Sequence, residues 1–145
     1  MTNSKRQRGP RPANKPLPRG RTVLLPRIYG QWIARARARI GVHQIDLARQ
    51  AGLQQATLSH LENAETMLAV FHLDVIADAL ASLAKQGGHA PPCGLGWEIA
   101  CAVSKLAQGI ADQGFTVVWA IREEDADALV ADVVLASLID ELASG

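Results

Sequence analysis

Between Val42 and Asn63 the chain reads VHQIDLARQAGLQQATLSHLEN, two short amphipathic stretches divided by one glycine. Ile45, Leu47, Ala48 and Ala51 recur at helical spacing, and beyond Gly52 a second apolar stripe comes from Leu53, Leu58 and Leu61. A helix has to end where the first stripe stops. Glycine suits that corner because it takes positive φ without a steric penalty. The pattern predicts helices over 44–51 and 55–63, joined by a turn too short for anything but a sharp corner.

The outward positions of the second stretch are Gln55, Ala56, Ser59 and His60, with Gln54 just before it. Glutamine can offer adenine a matched donor and acceptor in the major groove, and an alanine methyl can touch that of thymine. The segment resembles the helix-turn-helix of lambda-repressor/Cro-like (Xre-type) DNA-binding domains. The resemblance rests on Gln44, Leu47, Ala48, Ala51-Gly52, Gln55, Thr57, Leu58, Ser59, Leu61, Glu62 and Asn63. Upstream, Ile33, Arg37 and Gly41 fall where that family's first helix places them, and Ile76-Ala77-Asp78-Ala79-Leu80 resembles its fourth helix. The likeness covers residues 28–85.

The resemblance implies a mainly α fold and a regulator of transcription that binds double-stranded DNA sequence-specifically. It further implies a dimeric repressor of bacterial, plasmid or phage type, acting on a palindromic operator. Gln55, Ala56 and His60 would read bases with Gln54 and Ser59 in support, and Arg37 and Glu62 would form a structural ion pair. Two departures matter. His60 stands where many relatives carry Arg or another polar residue. The turn after the second stretch holds Glu65 and no cation, so phosphate contacts are expected from Arg35, Arg39, Arg49 and the N-terminal arm, with Gln44 donating from the start of its helix.

A net charge of +1 conceals a strong polarity. Residues 1–49 hold twelve Lys or Arg and one acid, a balance of +11, whereas residues 50–145 hold three and thirteen, a balance of −10. The basic block abuts the paired stretches, which points it at a polyanion. Residues 1–21 carry four prolines, two glycines and only Leu17 as a branched aliphatic, so a disordered basic arm is expected. Arg8-Gly9-Pro10-Arg11-Pro12 loosely resembles an AT-hook, but a tether to phosphates through Arg8 and Arg11 fits it better.

Elsewhere the pattern is coarser. The run 22–25 is β-prone and meets Pro26, so it is either a small strand or the lead-in to a first helix over 28–40 with Trp32, Ile33, Ala36 and Ile40 inward. A helix to about residue 84 follows the turn at 63–66, with Phe71, Val75, Ile76, Ala79, Leu80 and Leu83 inward. Gln86 to Pro92 breaks any helix and suggests a boundary. The expected organisation is an arm over 1–21, a DNA-binding domain over 22–86, a linker over 87–93 and a helix–strand–helix dimerisation module over 94–145. In that module Ile99, Val103, Leu106 and Ile110 share a helical face, 115–121 is the strongest strand signal, and a last helix over 123–143 opens on acids.

A lone strand leaves backbone groups unpaired, so 115–121 pairs either with 22–25 or with its copy across a dimer two-fold. The broad apolar face of the last helix favours the copy, with Val117, Trp119, Leu129, Val133, Leu138 and Leu142 as the dimerisation residues.

Two cysteines, Cys93 and Cys101, are too few for a disulfide scaffold and fit reduced thiols in a cytoplasm. His89, Cys93 and Cys101 lack any familiar metal-ligand spacing, so neither metal nor cofactor is expected. The four histidines lack a nucleophile or carboxylate at a recognisable spacing, and Gly94-Leu95-Gly96 has no preceding strand of the kind a dinucleotide site needs, which argues against an enzyme. No apolar run approaches a membrane span. The acidic C-terminal part leaves open an antitoxin-like role, in which it also holds a protein partner.

Overall fold

A computed structural model describes residues 21–119 and 129–144. The element order is β1 (Thr22–Leu24), α1 (Leu25–Arg39), α2 (Gln44–Ala51), α3 (Gln55–Glu62), α4 (Val70–Gln86), α5 (Gly96–Asp112), β2 (Thr116–Val118) and α6 (Asp132–Ser144). Among the described residues none of the helices is long and apolar enough to cross a membrane.

The run 22–25 is both of the things its sequence allowed. Thr22–Leu24 is a strand, and α1 begins directly at Leu25 with Pro26 in its first turn. Proline costs nothing there, because its missing N–H is one that a helix start leaves unpaired anyway. β1 pairs in parallel with β2, Thr22 opposite Thr116, Val23 opposite Val117 and Leu24 opposite Val118. On its other flank the Thr22 carbonyl accepts from Val130 N–H at 2.8 Å, beside a bridge to Leu129.

This pairing corrects the expectation that β2 finds its partner in a second copy. β1 is the partner, and it satisfies β2's backbone along one edge. The last helix is corrected as well. Leu129 and Val130 lie alongside β1, and α6 starts only at Asp132, which forms an ion pair with Arg27 of α1. The acids Glu123, Glu124, Asp125 and Asp127 fall outside the described residues, as do Ala120 and Ile121 of the expected strand.

The buried residues form one cluster that runs through both halves of the chain. Ile28, Ile33, Leu47, Leu58, Ile76 and Leu80 pack in continuity with Ile99, Val103, Ile110, Leu135 and Ile139. α5 lies along α4 and touches α1, and α6 lies against α5 and α1. The α5 stripe Ile99, Val103, Leu106 and Ile110 is buried throughout. Leu138, at 9% exposure, is committed to this same core, and Leu142 packs against Gly109. Both help to cover the apolar face of α5, Leu138 buried and Leu142 half-buried.

Arg21, placed in the arm by composition, is anchored. Its guanidinium donates to the Gly114 carbonyl at 3.0 Å, just past the end of α5, and lies 4.4 Å from the centre of the Phe115 ring. A cation beside carbonyls at a helix C-terminus is a favourable placement. Residues 1–20, including Arg8 and Arg11, lie outside the described residues.

Candidate nucleic-acid interface

The corner at Gly52 sets the angle between α2 and α3. Gly52 caps α2 with φ +74°, and its N–H and that of Leu53 close back on the carbonyls of Arg49 and Ala48. Leu47 and Ala48 of α2 and Leu58 and Leu61 of α3 are buried against α1 and α4. Neither helix has a side-chain cap: His43 and Gln54 occupy the N-cap positions without bonding the free amides. α3 is held instead by its underside. Gly30 of α1 meets the end of α3 so closely that a Cβ there would sit 2.8 Å from the Leu61 carbonyl oxygen and closer still to that of Glu62.

A polar clamp completes the join. Arg37 donates from Nε to Glu62 Oε2 and from Nη2 to Glu62 Oε1, both at 3.0 Å, and from Nη1 to the Val42 carbonyl at 3.1 Å. Gln44 Nε2 donates to Glu62 Oε1 at 3.1 Å. One carboxylate at the end of α3 thus ties α1 to the first residue of α2, and Arg37 adds the loop before α2. The Glu62 side chain is only 6% exposed and that of Arg37 19%, so the pair sits largely out of water.

The opposite side of α3 faces solvent. Gln54, Gln55, Ala56 and His60 are exposed and Ser59 is half-buried. Gln54 and Gln55 have no side-chain hydrogen bond among the described residues. The His60 ring lies 3.8 Å from the Glu65 carboxylate, and Ser59 Oγ is 3.5 Å from the Asn63 amide that donates to it. The side chain of Gln44 at the head of α2 retains one N–H beyond the one given to Glu62. Arg49, at the far end of α2, is exposed and only loosely paired with Asp46 at 3.6 Å.

Two arginines expected at this surface lie elsewhere. Arg35 is two residues from Arg37, and so about 200° around α1. All three of its guanidinium nitrogens already donate, to Asp140 at 2.7 Å, to the Ala136 carbonyl at 3.0 Å and to Gln31 at 2.6 Å. It joins α1 to α6, with one N–H left on each Nη. Arg39, one turn along, is exposed but shares Arg35's side of α1, where both line a pocket with α5 and α6.

Of the expected dimerisation residues, Trp119 and Val133 are exposed, at 51% and 76%, while Val117 and Leu129 are half-buried beside the sheet. Trp119 meets the Tyr29 ring edge-on, with centroids 6.0 Å apart.

Phe71 was expected inward and is 64% exposed. α4 starts at Val70, and its buried stripe is Leu73, Ile76, Ala77, Leu80 and Ala84, which leaves Phe71 in the first turn on the far side. Sequence reading also missed Ala64, buried after α3 with φ +58°. The turn signal at 63–66 was visible, but nothing in the sequence singled out an alanine for a left-handed conformation that glycine or asparagine usually takes.

Residues 33–84 match the family model described as helix-turn-helix. No curated protein and no solved structure gives a significant match to the chain. The matched span starts at the Ile33 face of α1, takes in the α2–Gly52–α3 corner and the Arg37–Glu62–Gln44 clamp, and ends within α4. Residues 33–84 are therefore similar to the Cro/C1-type, Xre-like helix-turn-helix family, and that match supports a role as a DNA-binding transcriptional regulator.

Proposed function

We propose that the protein is a repressor that binds a palindromic operator as a dimer, reading bases with Gln55, Ala56 and His60 and with Gln54 and Ser59 in support. The observation that carries the reading is the asymmetry of α3. Its apolar underside is buried and its upper side presents two amides with no side-chain partner among the described residues. Free amides on a convex helix face are what bidentate recognition of adenine requires. Phosphate contacts come from the remaining Gln44 N–H, from Arg49 and from Arg8 and Arg11 of the arm, so affinity falls steeply with salt. Arg35 and Arg39 are left out of that set because both stand on the side of α1 that faces the pocket, where Asp140 also neutralises Arg35.

A dimer accounts for Trp119 and Val133, large apolar side chains exposed near the sheet. Two copies would set their α3 helices about 34 Å apart, one turn of DNA, which calls for an inverted repeat. The test compares Gln55→Ala with Arg49→Ala on specific and random duplexes. The reading expects Gln55→Ala to lose preference for the operator while random-sequence binding stays, and Arg49→Ala to weaken both about equally. Equal loss on both duplexes by Gln55→Ala refutes base reading from α3.

A second reading, in which the chain also holds a protein partner, draws support from another surface. The first turns of α4 and α5 meet where Gly96 closes on Leu73 and Asp74, and there Val70, Phe71, Leu95 and Trp97 are all more than half exposed. Co-purification of a second gene product at fixed stoichiometry, abolished by Phe71→Ser with Trp97→Ser, would favour it. It is compatible with repression.

A further inference from the structure

The side of α1 turned away from the clamp opens on a pocket of about 360 Å³, bounded by α5 and α6. Its body is apolar, from Trp32, Ala36, Leu106, Ile139 and Leu142. Three cations stand around it, Arg35, Arg39 and Lys105. Arg35 is neutralised by Asp140, but Arg39 and Lys105 make no ion pair among the described residues. Ligand sites are typically concave, mostly apolar and furnished with a few placed polar groups, with volumes of roughly 300–1,000 Å³. This pocket meets each condition.

We propose that it binds a small amphipathic anion, a carboxylate or phosphate monoester on an apolar body, as an effector. The volume suits a body of about a dozen non-hydrogen atoms. The body would lie on Trp32, Leu106 and Leu142, and the anionic head would accept from Arg39 and Lys105. Those two side chains come from different helices, α1 and α5, so a bound anion bridges them. α1 is also the helix that carries Arg37 and Gly30 against α3, and a ligand seated on one side of it acts on the support of the recognition helix. That consequence for DNA rests on the repressor reading; the binding itself does not.

The test is calorimetric titration of the full chain with octanoate, phenylacetate and octyl phosphate, each set against its neutral counterpart, octanamide, phenylacetamide or octanol. At least one anion should bind with a half-saturation below about 1 mM, and more tightly than its counterpart by on the order of tenfold. Arg39→Gln and Lys105→Gln, both on exposed positions, should remove that preference and leave the neutral compound's binding unchanged. Ala102→Leu, which fills the pocket from α5, should abolish binding of both.

No binding by any of the three anions overturns the proposal, and so does an anion preference that survives both charge substitutions. Operator binding is measured separately on ligand-free protein. Its failure with anion binding intact would refute the repressor reading alone, and the converse would refute the pocket alone.

Discussion

Glu62 is the residue on which the position of α3 depends most, and its removal makes a quantitative test. In Glu62→Ala the Arg37 guanidinium loses two charge-assisted hydrogen bonds and keeps only the Val42 carbonyl, while Gln44 loses its anchor. Breaking a fully buried pair from one side costs about 3–5 kcal/mol, because the remaining charge is left desolvated. Arg37 is 19% exposed and can draw in water, which places the cost at the lower end, about 3 kcal/mol. For a chain of this size that lowers Tm by about 9 °C.

The double substitution Arg37→Met with Glu62→Leu removes both charges and leaves apolar bodies of similar size. It should recover most of the loss, with a coupling energy of about 2 kcal/mol. Urea unfolding followed by circular dichroism measures Glu62→Ala, the single substitutions Arg37→Met and Glu62→Leu, and the double. A cost for Glu62→Ala below about 1 kcal/mol, or additive single substitutions, would refute the argument that the clamp acts as a desolvated unit.

Further outcomes follow from other sites. Gly30→Ala forces a methyl against the carbonyls at the end of α3 and should cost about 2 kcal/mol, with DNA affinity falling alongside; unchanged urea midpoint and affinity would contradict the close contact. Burial and the nearby Glu98 push the Cys93 thiol up to about 11, whereas Cys101 is exposed, so iodoacetamide at about pH 8 should label Cys101 first by a wide margin, read by peptide mass spectrometry. The Glu98 carboxylate accepts from the Gly94 and Leu95 N–H groups, which hold its pKa below the usual glutamate range. Because the folded value is depressed, its stabilisation is present above the unfolded pKa and is lost as pH falls through the folded one. The stability gap between wild type and Glu98→Gln should therefore shrink below about pH 4, and a gap that widens there would contradict the assignment.

Much of the helix-turn-helix was legible because its determinants are local. The 3.6-residue stripe over 44–51 and 55–62, with Gly52 between, needs nothing beyond itself to define two helices and a corner. The α5 stripe was legible for the same reason. What sequence reading missed depends on contacts distant along the chain. β2 pairs with β1 across more than ninety residues, and no local pattern distinguishes that partner from a second copy. Leu129 and Val130 continue an apolar run that reads as helix, yet the Thr22 carbonyl holds them beside the sheet. Arg35 has the composition of a phosphate ligand, and only the docking of α6 spends it on Asp140 and Ala136.

The most direct test of base reading from α3 is selection of genomic DNA fragments by the purified full-length protein, at about 150 mM salt with random competitor. One short inverted repeat, its half-sites centred one helical turn apart, should be enriched, and Gln55→Ala should lose it. Enrichment of fragments with no shared motif would contradict it, and would assign the binding to the basic arm and phosphate contacts alone.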